Sequence, residues 1–222
     1  LWVVAGFRLY ESKDGGATWS AGEDVPRPEG ARKDANPWNF AVPVADEAGN
    51  VLVAYDLGDD KGYTMHAAVR APDGRWSVSN LTSSGTHHMP WPAAGPEGGF
   101  VVAWYGTDDE SKTPNTVSAD AAWSVFLAAT HDAGASWEIV RADPEPVATG
   151  PLNRRLLDFL QVDLAPDGAA HLVYAENRDG TNEERTRYVR TTVGLGLAPL
   201  AYPNGPKAAT GAQADGLAVA LG

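Results

Sequence analysis

Two stretches of eight residues, far apart in the chain, follow one pattern. Ser12-Lys13-Asp14-Gly15-Gly16-Ala17-Thr18-Trp19 and Thr130-His131-Asp132-Ala133-Gly134-Ala135-Ser136-Trp137 agree at six of eight positions when Ser and Thr are taken as equivalent. Composition does not produce such agreement with a tryptophan closing each copy, so the pair marks an internal repeat. The chemistry of the octet is that of a turn. Its Asp accepts hydrogen bonds from backbone N–H groups just ahead, its Gly supplies a positive φ, and its hydroxyl residue bonds the Asp or the main chain. The closing Trp leads into a strand with a large apolar face to bury and one indole N–H to satisfy. Ser12, Asp14, Gly16, Thr18 and Trp19, with Thr130, Asp132, Gly134, Ser136 and Trp137, are therefore read as hairpin-forming groups and not as ligand contacts.

Asp14 and Asp132 lie 118 residues apart, and half that interval, 59, predicts an equivalent acid at position 73. Position 73 is Asp, in Ala71-Pro72-Asp73-Gly74-Arg75-Trp76, a shortened turn that keeps Asp73, Gly74 and Trp76. A second signature is independent of the first. Asp46 to Asn50, Gly95 to Gly99 and Ala165 to Gly168 read as hairpin turns, each followed by a short apolar run: Val51 to Tyr55, Phe100 to Trp104, Ala170 to Tyr174. Six residues after the turn glycine stands an aromatic (Tyr55, Trp104, Tyr174), and ten residues before it a polar group (Asn39, His88, Asp158).

The octets resemble the Asp boxes, or BNR repeats, of sialidases and related β-propellers. The resemblance implies an all-β chain, a β-propeller of four-stranded antiparallel blades, with each box in the hairpin between the third and fourth strands and away from the catalytic face. In that frame residues 1 to about 25 end an earlier blade, Trp2 to Tyr10 supplying a third strand and Trp19 a fourth. Further blades run over about 38–81, 87–141 and 156–193, so that 1–193 is a partial propeller, and 194–222, rich in Gly, Ala and Pro, reads as a linker or tail. About three and a half blades are fewer than a closed propeller usually has. The expectation is the C-terminal part of a six-bladed propeller, with the missing N-terminal blades of the same protein as partners. The alternative is that the first half-blade completes the last and closes a four-bladed ring.

Composition fits many short strands. With 24 Gly, 16 Pro and no long apolar stripe of helical period, turns punctuate the chain too often for helices. A net charge of −12 disfavours phosphate backbones and anionic lipid surfaces, so no nucleic acid partner is expected. No apolar run is long enough for a transmembrane helix, so no membrane span is expected, and no signal peptide is recognisable. The absence of Cys excludes disulfide and thiol chemistry. An extracellular or cell-envelope location follows only from the resemblance.

Propeller openings are lined by inner strands and their connecting loops, which directs attention to Asn39, His88 and Asp158. Around them fall Asn36, His87, Trp91, Arg154, Arg155 and Gln161, and beyond the second strands Asp56, Asp59, Asp60, Asp108, Asp109, Glu176, Asn177 and Arg178. His87 and His88, adjacent on a strand, point to opposite faces. No ligand-spaced His cluster suggests zinc, and the acidic loops do not match EF-hand spacing, so no metal and no cofactor are expected. The sialidase resemblance implies a Tyr nucleophile activated by Glu, an Asp acid/base and arginines gripping a substrate carboxylate. Tyr174, Glu176 and Asp158 have suitable catalytic chemistry, and Asn39, His88, Arg155 and Arg178 suitable binding chemistry, although no family motif places them there. Tyr174 also shares its register with Tyr55 and Trp104, the pattern of a packing aromatic. Two functions follow: an exo-acting glycoside hydrolase on sialylated or related acidic glycans, or a non-catalytic propeller binding a glycan or protein through its loop face.

Overall fold

The computed structural model describes residues 1–29, 40–59, 62–111, 113–152, 155–156, 159–178, 180, 185–191 and 219–221. All regular structure among them is β. Strands β1 (Trp2–Ala5), β2 (Arg8–Glu11) and β3 (Glu23–Asp24) form one antiparallel sheet. β4 (Ala41–Ala45), β5 (Val51–Asp59), β6 (Gly62–Arg70) and β7 (Trp76–Asn80) pair in chain order as an antiparallel meander. β8 (Thr86–Ala94), β9 (Phe100–Thr107), β10 (Ala122–Thr130) and β11 (Glu138–Arg141) repeat the arrangement, with the short β12 (Ala148–Thr149) against the far end of β10. β13 (Leu160–Leu164), β14 (Ala170–Glu176), β15 (Arg185–Thr191) and β16 (Val219–Leu221) form the last sheet.

Side-chain alternation explains how the sheets stack. Val51, Val53 and Tyr55 of β5 pack with Leu9 of the first sheet and Val25 just after it, whereas Leu52 and Ala54 face Phe100, Val102 and Trp104 of β9. The other face of β9, Val101, Ala103 and Tyr105, packs with Leu160, Val162, Leu172 and Tyr174 of the last sheet. Strands buried on both faces carry near-continuous apolar runs, and the period of two divides each run between two interiors. The β4–β7 and β8–β11 meanders are joined into one nine-stranded sheet by a parallel bridge between Tyr63 and Thr86. Three cores lie between the first sheet, these two meanders and the last sheet.

The octets fold into the same hydrogen-bonded turn. Thr18 N and Oγ1 donate to Asp14 Oδ1 and Oδ2 at 2.8 and 2.6 Å, and Ser136 N and Oγ donate to Asp132 Oδ1 and Oδ2 at 2.9 and 2.6 Å. Ser12 Oγ and Thr130 Oγ1 each accept from the glycine N–H, Gly16 at 2.8 Å and Gly134 at 3.0 Å. The shortened copy is held differently, with Arg75 N and Nε donating to Asp73 at 3.0 and 2.7 Å. The turns sit between β2 and β3, β6 and β7, and β10 and β11. They share an end of the molecule with the Gly hairpins: Gly98 N donates to Asp46 Oδ2 at 2.7 Å, and Ala133 N to Gly98 O at 2.9 Å.

Three local expectations change. Trp2 to Tyr10 is two strands, split at Gly6-Phe7, where φ angles of 57° and 61° make a tight two-residue hairpin turn. The strand after the first octet is Glu23–Asp24, and Trp19 itself lies outside any strand and is exposed. Val219–Leu221, inside the stretch expected to be a tail, pair with β15, while 192–218 fall outside the described residues.

Candidate functional site

Opposite the octets lie the starts of β4, β8 and β13 and the ends of β5, β9 and β14. Here, among the described residues, Phe40, Met89, Pro90, Trp91 and Leu160 line a shallow pocket open to solvent. Each of three meanders contributes through its first strand or the residue preceding it. β8 is irregular at this point: its register with β9 shifts between His88 and Trp91, and Met89 adopts φ 61°. A bulge with a non-glycine residue in the left-handed region re-aims the side chains around it, and such strain clusters at functional sites. Trp91 remains 37% exposed, and the neighbouring Phe159, next to Leu160, 63%.

Behind the pocket lies a buried polar group. Asp56 has no exposed side-chain surface; its Oδ2 is hydrogen-bonded to His88 Nδ1, and its Oδ1 accepts from Phe40 N at 3.0 Å. The His88 ring meets Phe40 edge-on at 5.1 Å and Tyr63 at 5.5 Å. One carboxylate thereby ties the start of β4 to the bulge of β8, two walls of the pocket. The Tyr63 hydroxyl is buried with no hydrogen-bond partner among the described residues, and burial with the nearby Asp56 pushes its pKa up to about 12. His87 turns elsewhere: Trp104 Nε1 donates to its Nδ1 at 3.0 Å, and burial pushes its pKa down to about 4, leaving a neutral acceptor.

A second cluster surrounds the end of β14. The Tyr174 hydroxyl donates to Asp143 Oδ2 at 2.6 Å, and burial, reinforced by that carboxylate, holds the phenol well above its ordinary pKa. Its ring has no exposure and belongs to the interior that contains Leu160 and Leu172. Arg178 contacts Asp143, Glu145 at 2.8 Å and Glu176 at 2.5 Å, the last in close ion pairing outside hydrogen-bond alignment. Arg187 Nε lies 2.9 Å from the other Glu176 oxygen. Arg155 donates to the carbonyls of Thr149 (2.8 Å), Pro151 (2.6 Å) and Leu152 (3.3 Å) and to Asn177 Oδ1 (3.2 Å).

The side chains of Asp143 and Glu176 are each only 2% exposed. Drawing Arg178 onto a ligand would leave Asp143 without its cation among the described residues, while Glu176 would keep Arg187. Breaking such a pair costs about 3 to 5 kcal/mol. A charge-assisted hydrogen bond to a ligand returns roughly 1.5 to 3 kcal/mol. The internal partners win.

Among the sequence candidates, His88 stands beside the pocket, while Tyr174, Glu176 and Arg178 form one cluster with Asp143, and Arg155 braces the loop next to it. Asn39 and Asp158 lie outside the described residues. Phe40, Met89, Pro90 and Leu160 carry no sequence signal, because apolar residues in or beside strands look like core. Tyr63 and Asp143 carry no motif either. Asp56 followed from the register, one place beyond the aromatic of its run.

No family model matches the chain, and no curated protein matches it in sequence. Among solved structures it is similar to a polysaccharide lyase, with TM-score 0.42 and 12% identity over 68% of this chain and 37% of that one. It is similar to the Penicillium chrysogenum alpha-L-arabinanase complexed with arabinobiose, with TM-score 0.42 and 14% identity over 87% of this chain and 64% of that one. For a thermostable family-43 glycoside hydrolase the TM-score is 0.42 and the identity 13%, over 92% and 68% of the two chains. The chain thus spans 37% of the lyase and 64% of the arabinanase.

Proposed function

We propose that this chain is part of a carbohydrate-active β-propeller and that a glycan binds at the loop end of its inner strands, over Trp91. The observation that carries this reading is the shallow pocket of Phe40, Met89, Pro90, Trp91 and Leu160, an apolar, partly exposed aromatic surface where the first strands of three successive meanders meet. Small-molecule sites combine such apolar walls with a few polar groups, and a flat aromatic face suits the C–H face of a sugar ring. The meanders joined by hairpins, with repeated turns at the opposite end, support the propeller arrangement. Binding to glycans is consistent with an extracellular or cell-envelope location.

Electrophoresis of the protein through gels containing soluble polysaccharides tests the reading. At least one polysaccharide should retard it, and Trp91→Ala should weaken that retardation about tenfold, the worth of one aromatic contact. The melting temperature should hardly change, since the side chain is partly exposed. Equal retardation of variant and parent, or none by any polysaccharide, removes the proposal.

The finer reading is an exo-acting glycoside hydrolase on sialylated or related acidic glycans, with Tyr174, Glu176 and Asp158 catalytic and Asn39, His88, Arg155 and Arg178 holding substrate. It requires Arg178 or Arg155 to exchange its internal partners for a substrate carboxylate. Release of a fluorophore from a sialoside by the full-length protein, lost in Glu176→Gln, is the result that would support it. No release over a broad pH range would leave a non-catalytic glycan- or protein-binding module.

A further inference from the structure

We infer that Met89 is an oxidation site and that its conversion to the sulfoxide weakens ligand binding in the pocket, an inference that rests on the glycan-binding reading above. The chain has two methionines, and the fold treats them oppositely. Met65 lies on β6 with no exposed surface, enclosed with Leu52, Val102 and Trp104 in the core between the two central meanders. Met89 is half-buried; it packs against the interior that holds Leu160 and Leu172, and it lines the solvent-open pocket. The bulge accounts for its placement. Where the register of β8 against β9 shifts, Met89 takes φ 61°, which interrupts the alternation that sends successive side chains to opposite faces. Three consecutive residues, Met89, Pro90 and Trp91, consequently all line the pocket.

A thioether at a solvent-open surface reacts with peroxides. A sulfur lone pair takes one peroxide oxygen, so an S–O bond forms and the O–O bond breaks. The departing hydroxide takes up a proton and leaves as water, sulfur being oxidised by two electrons and the peroxide reduced by two. The product is polar and chiral where the thioether was apolar and flexible. Its oxygen holds water that the apolar face of a sugar ring must displace to reach Trp91, and covering that oxygen without a new hydrogen bond costs affinity. A methionine sulfoxide reductase restores the thioether, so the change is reversible.

Treatment of the full chain with dilute hydrogen peroxide, followed by peptide mass mapping, tests the site. Met89 should gain one oxygen, while Met65 reacts at least about a hundredfold more slowly because it waits for the core to open. Electrophoresis through a gel containing a polysaccharide that retards the parent tests the consequence. The oxidised protein should bind about tenfold more weakly, keep its melting transition, and recover its retardation after treatment with the reductase. Met65→Leu should retain this sensitivity. In Met89→Leu, retardation before and after peroxide should be equal, whatever the starting affinity of the variant. Equal oxidation of the two methionines, or undiminished retardation of protein oxidised at Met89, overturns the inference and leaves the glycan-binding reading standing. So does a loss that persists in Met89→Leu, since another side chain would then be the target, and so does loss of the melting transition on oxidation. Retardation by no polysaccharide overturns both.

Discussion

Asp14 and Asp132 are exposed, yet each is held at a pKa of about 2, first by the hydroxyl of Thr18 or Ser136 and then by the backbone N–H of the same residue. A carboxyl whose folded pKa lies below its unfolded value of 3.8 stabilises the fold fully above that value, and the contribution disappears as pH falls towards about 2. Asp132→Asn should accordingly lower the melting temperature at neutral pH, with the difference from the parent closing in acid. A difference of equal size at pH 7 and at about pH 2 would contradict this account. At this scale the sequence was highly legible. The Asp, the Gly and the hydroxyl residues of each octet lie close in the chain, and their bonds close within four residues. Phe7 was not legible, since a left-handed aromatic in a two-residue turn carries no signal beyond the Gly6 beside it.

At the scale of elements, the apolar runs and their turn glycines placed β5, β9 and β14 within the register, and the alternation along β5 and β9 explains why each serves two cores. The shared position of Tyr55, Trp104 and Tyr174 likewise read as packing, and none of the three has exposed surface. The connection between elements was less accessible. Asp56, at the end of β5, holds both Phe40 before β4 and His88 in β8. Asp56→Ala would leave the half-buried Phe40 N–H and a buried imidazole nitrogen without their acceptor. A loss of about 3 kcal/mol or more is expected, read as a lower urea midpoint at unchanged slope. Asp56→Asn, which can still accept from Phe40, should recover part of the stability and of the glycan retardation. An Asp56→Ala variant as stable as the parent would show that the clamp does not hold these elements together.

At the scale of the molecule, the β4–β7 and β8–β11 meanders of the central sheet each wall two cores, so loosening one interior disturbs its neighbour. Unfolding should therefore be a single transition, with circular dichroism and tryptophan fluorescence melting together. Leu172→Ala, in the core nearest the last sheet, should destabilise by about 2 to 5 kcal/mol and move both probes equally. Separate transitions would mean that the sheets unfold as independent units.

The sequence by itself determined the turns, the alternation of the strands and the 59-residue repeat, because each is written in residues that interact within a few positions or at a fixed period. It also brought forward His88, Tyr174, Glu176, Arg155 and Arg178 as the polar groups at one end. Only the tertiary structure decided what those groups touch. His88 meets Asp56 across 32 residues and Arg178 meets Asp143 across 35, and such pairings arise from the stacking of one sheet on the next. The same stacking turned apolar residues scattered over three strands' beginnings and middles into one pocket. No local pattern encodes either outcome, since both depend on which faces are brought together and how deeply each group is removed from water.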